Sequence, residues 1–483
     1  MNARRRSLTL VWRAALALGG ASCADVLDIP DDRRVVGAIA ADGGRCIGAI
    51  PVRVLADAGG PFDAVEGPFL AGVTDYLREL DAGGGLRGCA LELDVQDAGY
   101  DVARAQQIYD DWKGRADWGR VAAIFTASTG ATLQLAPQAT VDRKPLVSGS
   151  YLGALASPLP VSWKVDVPEV GPTFEESAFP TEIESVGYPY TFFTGTDYST
   201  GGRVAMYHVK SRGGRRVGFV HCSVAFCTGP LPALRTYARE IGLPIGRALT
   251  LELDDPQPAY DERVRAYFEQ ELARRDADPA YVPVDWLWMG NTTPTTARLA
   301  RAVARANAAL GLRVQIMVNS RGIDENLHAA CGPDCVGLVH GVLPSAFYGD
   351  LGRGPEMAKV MALHDKRRRL DLEAAREAGR ADPPPATFGD VNYVQGYASA
   401  LAFRLAVERA LDRGLAVTGE NLKGALESFQ NVETGGLTDR LSFTPDDHRP
   451  QSAVTVYTLA PDGALVTERS ESALSLQKGW LGW

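Results

Sequence analysis

The chain has 483 residues, 46% of them hydrophobic and 23% charged, with a net charge of −9 and a pI near 5.4. Such a length exceeds what one compact core usually organises, so two lobes are expected. The acidic balance argues against a nucleic-acid partner, which needs a basic face to neutralise phosphates, and beyond the N-terminus no apolar run approaches the ~20 residues that span a bilayer.

The first elements concern export. Arg4, Arg5 and Arg6 precede an apolar stretch, Leu8 to Leu18, broken only by Arg13; small residues Gly19 to Ser22 follow, and then Cys23. This is the layout of a secretory signal over 1–22. Cysteine directly after small residues resembles a bacterial lipobox, in which Cys23 would be acylated and 23–43 would form a tether. An ordinary cleaved signal, with Cys23 incidental, is the alternative reading, and the paired arginines leave a twin-arginine route open. The expected location is the periplasm or cell envelope, with membrane contact through the lipid alone.

From Cys46 the sequence alternates short β-like runs with helical stretches. Cys46–Val54 reads as a strand, Gly67–Leu80 as a helix with Phe69, Leu70, Val73, Tyr76 and Leu77 on one face, Cys89–Val95 as a strand, and Val102–Trp112 as a helix. Val121–Phe125 and Pro145–Ser148 read as buried strands. An irregular Pro- and Gly-rich stretch, Ser157–Tyr190, interrupts the rhythm. It resumes with strand Arg216–His221, helix Pro230–Ile241, strand Trp286–Met289, helix Ala297–Leu310 and strand Arg313–Val318. A charged stretch, Lys366–Arg380, leads to Pro383-Pro384-Pro385 and reads as a surface insertion before a long helix, Val391–Leu411; a strand at Ala453–Leu459 ends the pattern. A β-α-β-α rhythm predicts mostly parallel sheets flanked by helices, and two such sets in an exported chain suggest two lobes facing a cleft.

Apart from Cys23, six cysteines remain: Cys46, Cys89, Cys222, Cys227, Cys331 and Cys335. They fall into two local pairs and one pair at the starts of the first two strands, and an oxidising compartment lets all three close. Six cysteines allow 15 connectivities, so this pairing is an expectation. Zinc at His221, Cys222 and Cys227 lacks a clear fourth ligand. Gly83-Gly84-Gly85-Leu86-Arg87-Gly88 satisfies G-x-G-x-x-G but follows a helix and precedes a strand, the reverse of a dinucleotide fingerprint. Histidines are scattered, and no nucleophile, P-loop or metalloprotease motif occurs. No catalysis, metal or cofactor is expected.

In open parallel sheets, ligands collect beyond the carboxyl ends of the strands. There the chain places turns rich in small hydroxyls: Ser128, Thr129 and Gly130 after Val121–Phe125, and Ser148, Ser150 and Tyr151 after the next strand. Helix capping suffices to explain such hydroxyls, yet the same amides can hold a carboxylate. In order along the chain, Gly83–Gly88 with Leu91–Asp97, Thr129-Gly130-Ala131-Thr132-Leu133, Pro145–Ser150, Phe226-Cys227-Thr228-Gly229 and Gly435-Gly436-Leu437 resemble the leucine/isoleucine/valine-binding family of periplasmic binding proteins, receptors of branched-chain amino-acid ABC transporters.

The resemblance implies a type I periplasmic binding fold: α/β, two Rossmann-like lobes joined by three crossings. It assigns 44–195 plus 345–432 to an N-terminal lobe and 196–344 plus 433–483 to a C-terminal lobe. It places the ligand-carboxylate turn on Ser128, Thr129 and Gly130, a second loop on Ser148–Tyr151, an aromatic on Phe226, and second-lobe strand ends at Asn291, Asn319 and Ser320. Tyr198 faces the cleft if the lobes divide so. The family's amino-acid binders carry a glutamate near Ser320 to pair with the ligand ammonium; here Ser320 is followed by Arg321, and a buried ammonium is costly unless Asp324 or Glu325 reaches in to pair with it. The expected ligand is therefore a small polar metabolite, an amino acid, amide or carboxylate, with a branched-chain amino acid in doubt. The expected protein is a monomer that serves an ABC transporter permease, or a sensor or scavenger of the same fold.

Overall fold

The computed structural model describes residues 39–41, 45–57, 60–164, 182–380 and 389–471. Cys23 with its signal, Pro383–Pro385 and the side chain of Cys46 lie outside the described part.

The end of the expected tether is a strand, β1 (Ile39–Ala41), paired antiparallel with β2 (Arg45–Ile47). Gly48, at φ 106°, turns the chain into β3 (Ala49–Ala56), whose six central residues are all buried, as a strand covered on both faces requires. Helix α1 runs Asp63–Ala82, starting before the expected Gly67 because Pro68 is accommodated inside it. β4 (Ala90–Asp97), α2 (Val102–Lys113), β5 (Ala123–Thr126), α3 (Thr129–Val141) and β6 (Leu146–Ser148) follow as the periodicity predicts. The stretch read as irregular contains an antiparallel pair, β7 (Val161–Lys164) and β8 (Glu182–Ser185), before β9 (Thr191–Phe192). β4-β3-β5-β6-β9 form one wholly parallel sheet.

The chain then crosses to a second sheet. Its elements are α4 (Tyr198–Ser211), β10 (Val217–His221), α5 (Ala225–Thr228), α6 (Leu231–Glu240), β11 (Ile245–Thr250), α7 (Gln257–Ala277), β12 (Trp286–Met289), α8 (Thr293–Leu310), β13 (Gln315–Val318), α9 (Leu327–Cys331) and β14 (Val339–Leu343). It returns with α10 (Glu356–Glu377), α11 (Val391–Asp412) and α12 (Gly419–Leu426), which join the core of the first sheet. The charged stretch read as an insertion is thus the outer half of α10, tied to α1 by Lys366 Nζ on Glu79 at 2.7 Å. A third crossing brings β15 (Val454–Leu459) and β16 (Leu465–Glu471) to the second sheet, ordered β11-β10-β12-β13-β14-β15-β16, parallel except for the last two strands.

Two crossings run side by side, Ala346 N–H donating to Leu437 O at 2.8 Å. Gly435 and Gly436 (φ 67° and 92°) make the turn there, and a Cβ on Gly436 would stand 2.3 Å from Arg353 O, so glycine is required. Cys222–Cys227 and Cys331–Cys335 are disulfides, and Cys89 is also disulfide-bonded.

Candidate ligand site between the lobes

Strand order reverses twice in this molecule. In the first sheet β3 leads to β4 on one side and, by way of α2, to β5 on the other; in the second, β10 is flanked by β11 and β12 in the same manner. At such switch points adjacent connections leave on opposite faces and open a crevice beyond the strand ends. Both crevices face one gap. Asp57 and Thr129 stand at the ends of β3 and β5, and Phe226 and Thr292 follow β10 and β12; Thr129, Phe226 and Thr292 line the same cavity, with Glu66, Tyr198 and Arg321. The cavity is small, about 20 Å³, room for one or two waters.

The β5–α3 turn is held by its own hydroxyls. Ser128 caps α3, its Oγ accepting from Ala131 N–H at 3.3 Å, while Thr129 Oγ1 and Ser150 Oγ share a hydrogen bond of 2.7 Å. Ser148 Oγ turns inward, accepting from Ser150 N–H at 3.0 Å and lying 3.3 Å from Thr132 Oγ1. Of the first-lobe turns singled out in the sequence, Thr129 and Gly149 line the gap; Ser128, Ser148 and Ser150 shape the turns behind them, and Gly130 opens the helix, where a Cβ would press on Val102. Tyr151 is buried, its carbonyl accepting from Tyr198 N–H at 2.8 Å, and burial lifts its phenol to about 12. Tyr198 and Phe226 both reach the gap, their rings 5.5 Å apart, and Phe226 also meets Phe62 of the first lobe at 5.4 Å. Packing beside the Cys222–Cys227 bridge and lining the gap are both true of Phe226.

In the second lobe, Asn291 Oδ1 closes on Thr292 N–H at 2.8 Å, the turn role asparagine commonly fills. Asn319 Oδ1 accepts from Arg321 N–H at 3.0 Å, leaving its Nδ2, like Ser320 Oγ, without a partner among the described residues.

The groups that sequence reasoning did not assign to the ligand are charged. Arg321, 3% exposed, crosses from the second lobe to the first: Nη1 donates to Asn392 Oδ1 at 2.7 Å, Nη2 donates to Gly149 O, and the guanidinium lies 4.9 Å from the Tyr151 ring and 5.7 Å from that of Phe69. Facing it from α1 is Glu66, buried, with Oε2 lacking a partner among the described residues. Burial and the neighbouring Asp57 carboxylate hold Glu66 well above the ordinary carboxylate range. Burial also raises Asp57, an effect opposed by its interaction with the Glu66 side chain and by Tyr100 N–H, which donates to Oδ1 at 2.9 Å. Two carboxyls this buried and mutually repelling disfavour ionising together. The gap thus has a guanidinium on one wall, the Glu66 carboxyl on the other, and aromatic rings between.

These features define an α/β fold of two sheets with a cavity lined from both. The periplasmic binding protein family matches residues 49–464, and the chain belongs to it. Similar solved structures include an ABC transporter substrate-binding protein from Aeropyrum pernix (TM-score 0.68, 21% identity, covering 90% of this chain and 99% of that one). A fatty acid ABC transporter substrate-binding protein from Thermomonospora curvata follows (0.64, 19%, 92% and 95%), with a branched-chain amino acid ABC transporter protein from Thermus thermophilus with bound valine (0.64, 19%, 90% and 98%). A search among curated protein sequences finds no significant match. The family consists of substrate-binding proteins rather than enzymes, and no helix among the described residues is long and apolar enough to cross a membrane.

Proposed function

We propose that this protein, anchored at the cell envelope through Cys23, captures an amino-acid-like solute between its lobes and delivers it to an ABC transporter permease. The lobes divide as the family pattern implies, 44–195 plus 345–432 against 196–344 plus 433–483. Thr129, Tyr198 and Phe226 contact the solute directly. The observation that carries the reading is the opposition of Arg321 and Glu66 across one buried gap. A solute carboxylate is met by Arg321 and the amides at the start of α3; a solute ammonium is met by Glu66, which supplies the acid that the Ser320 position lacks. Entry requires the lobes to part, because the cavity holds only a water or two.

Calorimetric titration of the chain against small L-amino acids, their amides and the corresponding carboxylic acids tests this. Micromolar binding of at least one amino acid, stronger than that of its amide and deaminated analogue, is the expected result. Tight binding of an uncharged or purely apolar solute, with amino acids inert, would overturn it.

A further inference from the structure

Far from the ligand gap, three chemically matched side chains converge. His208 lies near the end of α4, His340 on β14 and Glu468 on β16. One nitrogen from each imidazole and one carboxylate oxygen lie within 4.8 Å of one another. His340 Nδ1 is 2.6 Å from Glu468 Oε2, and His208 Nε2 is 3.5 Å from the same oxygen. His208 is 1% exposed, yet neither of its ring nitrogens has a hydrogen-bond partner among the described residues. A buried imidazole with both nitrogens unpartnered is costly, and its position beside a second imidazole and a carboxylate points to what would satisfy it.

We propose that His208, His340 and Glu468 form a divalent-metal site, with Zn2+ the ion that fits its donors. Two imidazoles and one carboxylate are an established zinc ligand set, water taking the fourth place. Tetrahedral bonds of 2.0–2.2 Å separate ligand atoms by roughly 3.3 Å, so the observed spacings need shifts of about an ångström. The outer shell is also in place. His340 Nε2 stands 3.1 Å from Gln315 Oε1, a partner that fixes the tautomer leaving Nδ1 free for the metal. Arg212 binds Glu468 Oε1 at 3.1 Å, directing Oε2 toward the imidazoles. The metal would tie the antiparallel edge strand β16 to α4 and β14. Ten residues of α4, about 15 Å, separate His208 from Tyr198 at the ligand gap, so the site is separate from solute binding. Its ligands come from three elements far apart in sequence, which is why no histidine spacing announces it.

The test uses the untagged chain and Zn2+ alone, in competition with a colorimetric chelator, together with Co2+ as a spectroscopic substitute. One equivalent bound, four-coordinate Co2+ absorption, and a melting temperature that rises with Zn2+ are expected. His208→Leu, which deletes two nitrogens that make no hydrogen bond, should abolish the equivalent, and Gln315→Leu should weaken it 10–100-fold or thereabouts. Binding below one equivalent, six-coordinate Co2+ absorption, or equal binding by His208→Leu overturns the proposal. If that variant does not fold, an unchanged affinity in Gln315→Leu overturns it equally.

Discussion

Three buried carboxylates tie the loop after β13 to the start of α11, and they should make stability depend on pH in an unusual direction. Glu325 accepts from Val391 N–H at 2.9 Å and from Tyr348 N–H; Asp390 accepts from Asn392 N–H at 2.8 Å; Asp324 accepts from Thr293 Oγ1 at 2.7 Å. Burial, with Asp324 beside it, lifts Glu325 from 4.5 to about 8; burial lifts Asp324 from 3.8 to about 6, and Asp390 rises well above its usual range for the same reason. Each folded-state pKa lies above the unfolded one, so the stabilisation is complete below about pH 4 and is lost as pH rises through the folded values. One group moved from 4.5 to about 8 accounts for up to ~5 kcal/mol across that window, at about 1.4 kcal/mol per unit.

Glu325→Gln isolates this term. The amide keeps the size and one accepting oxygen, but sets an NH2 group against one backbone N–H, costing about 1–3 kcal/mol. At pH 5 the variant should be the less stable by that amount; near pH 8 the order should reverse, because the wild type by then carries a buried charge or keeps its proton at a cost. Urea midpoints of both proteins between pH 4.5 and 8.5 measure the difference. Parallel curves, with no crossing, would refute the reasoning.

Arg321→Met retains the buried stem and removes the cross-lobe hydrogen bonds to Gly149 and Asn392. Small-angle scattering should show a larger radius of gyration, and solute affinity should fall about 10–100-fold, a charge-assisted bond being worth roughly 1.5–3 kcal/mol. If the solute is cationic at one end, binding should expel a proton from the Asp57 and Glu66 carboxyls. Calorimetry in two buffers of different ionisation enthalpy reads that proton, affinity should rise with pH, and Glu66→Gln should abolish both effects. Gly396→Ala would place a Cβ 1.8 Å from Phe69 O and force α11 off α1. Against a helix-propensity gain of about 1 kcal/mol, overpacking should leave a net loss of about 2 kcal/mol or more in chemical denaturation.

What could be read from the sequence followed from periodicity. The apolar faces of α1, α2 and α11 repeat at helical spacing, and β3, β5 and β12 are apolar runs bounded by turns, so the α/β rhythm was visible. Turn chemistry at strand ends pointed to Thr129, while Phe226 came from the family resemblance and Tyr198 from the lobe division it implies; all three line the cavity. The charged members of the site were hidden for physical reasons. Glu66 stands in the first turns of α1, where an acid usually complements the helix dipole, and its burial depends on Asp57 and on the opposite lobe. Arg321 was visible at a strand end only as the neighbour of Ser320, where a glutamate is missing, since its reach across the gap is a tertiary property. Ser148 and Asn291 had the right composition and position, yet their side chains are spent on local hydrogen bonds.

The absence of an acid at Ser320 looks different once the acid is found on the facing lobe. A solute with one carboxylate and one ammonium would leave neither Arg321 nor Glu66 uncompensated, a proton on the Asp57 and Glu66 carboxyls being exchanged for the ligand cation. An amide would satisfy hydrogen bonds without neutralising the guanidinium, and a carboxylic acid would leave the acid pair holding its proton. Since an uncompensated buried charge is far costlier than an imperfect neutral hydrogen bond, the expected ranking is amino acid above amide or carboxylate, the gap over the carboxylate widening at higher pH as the proton becomes easier to displace. A ranking that narrows as pH rises would mean that Glu66 does not face the solute, and would return the choice of ligand to Arg321 and the α3 amides alone.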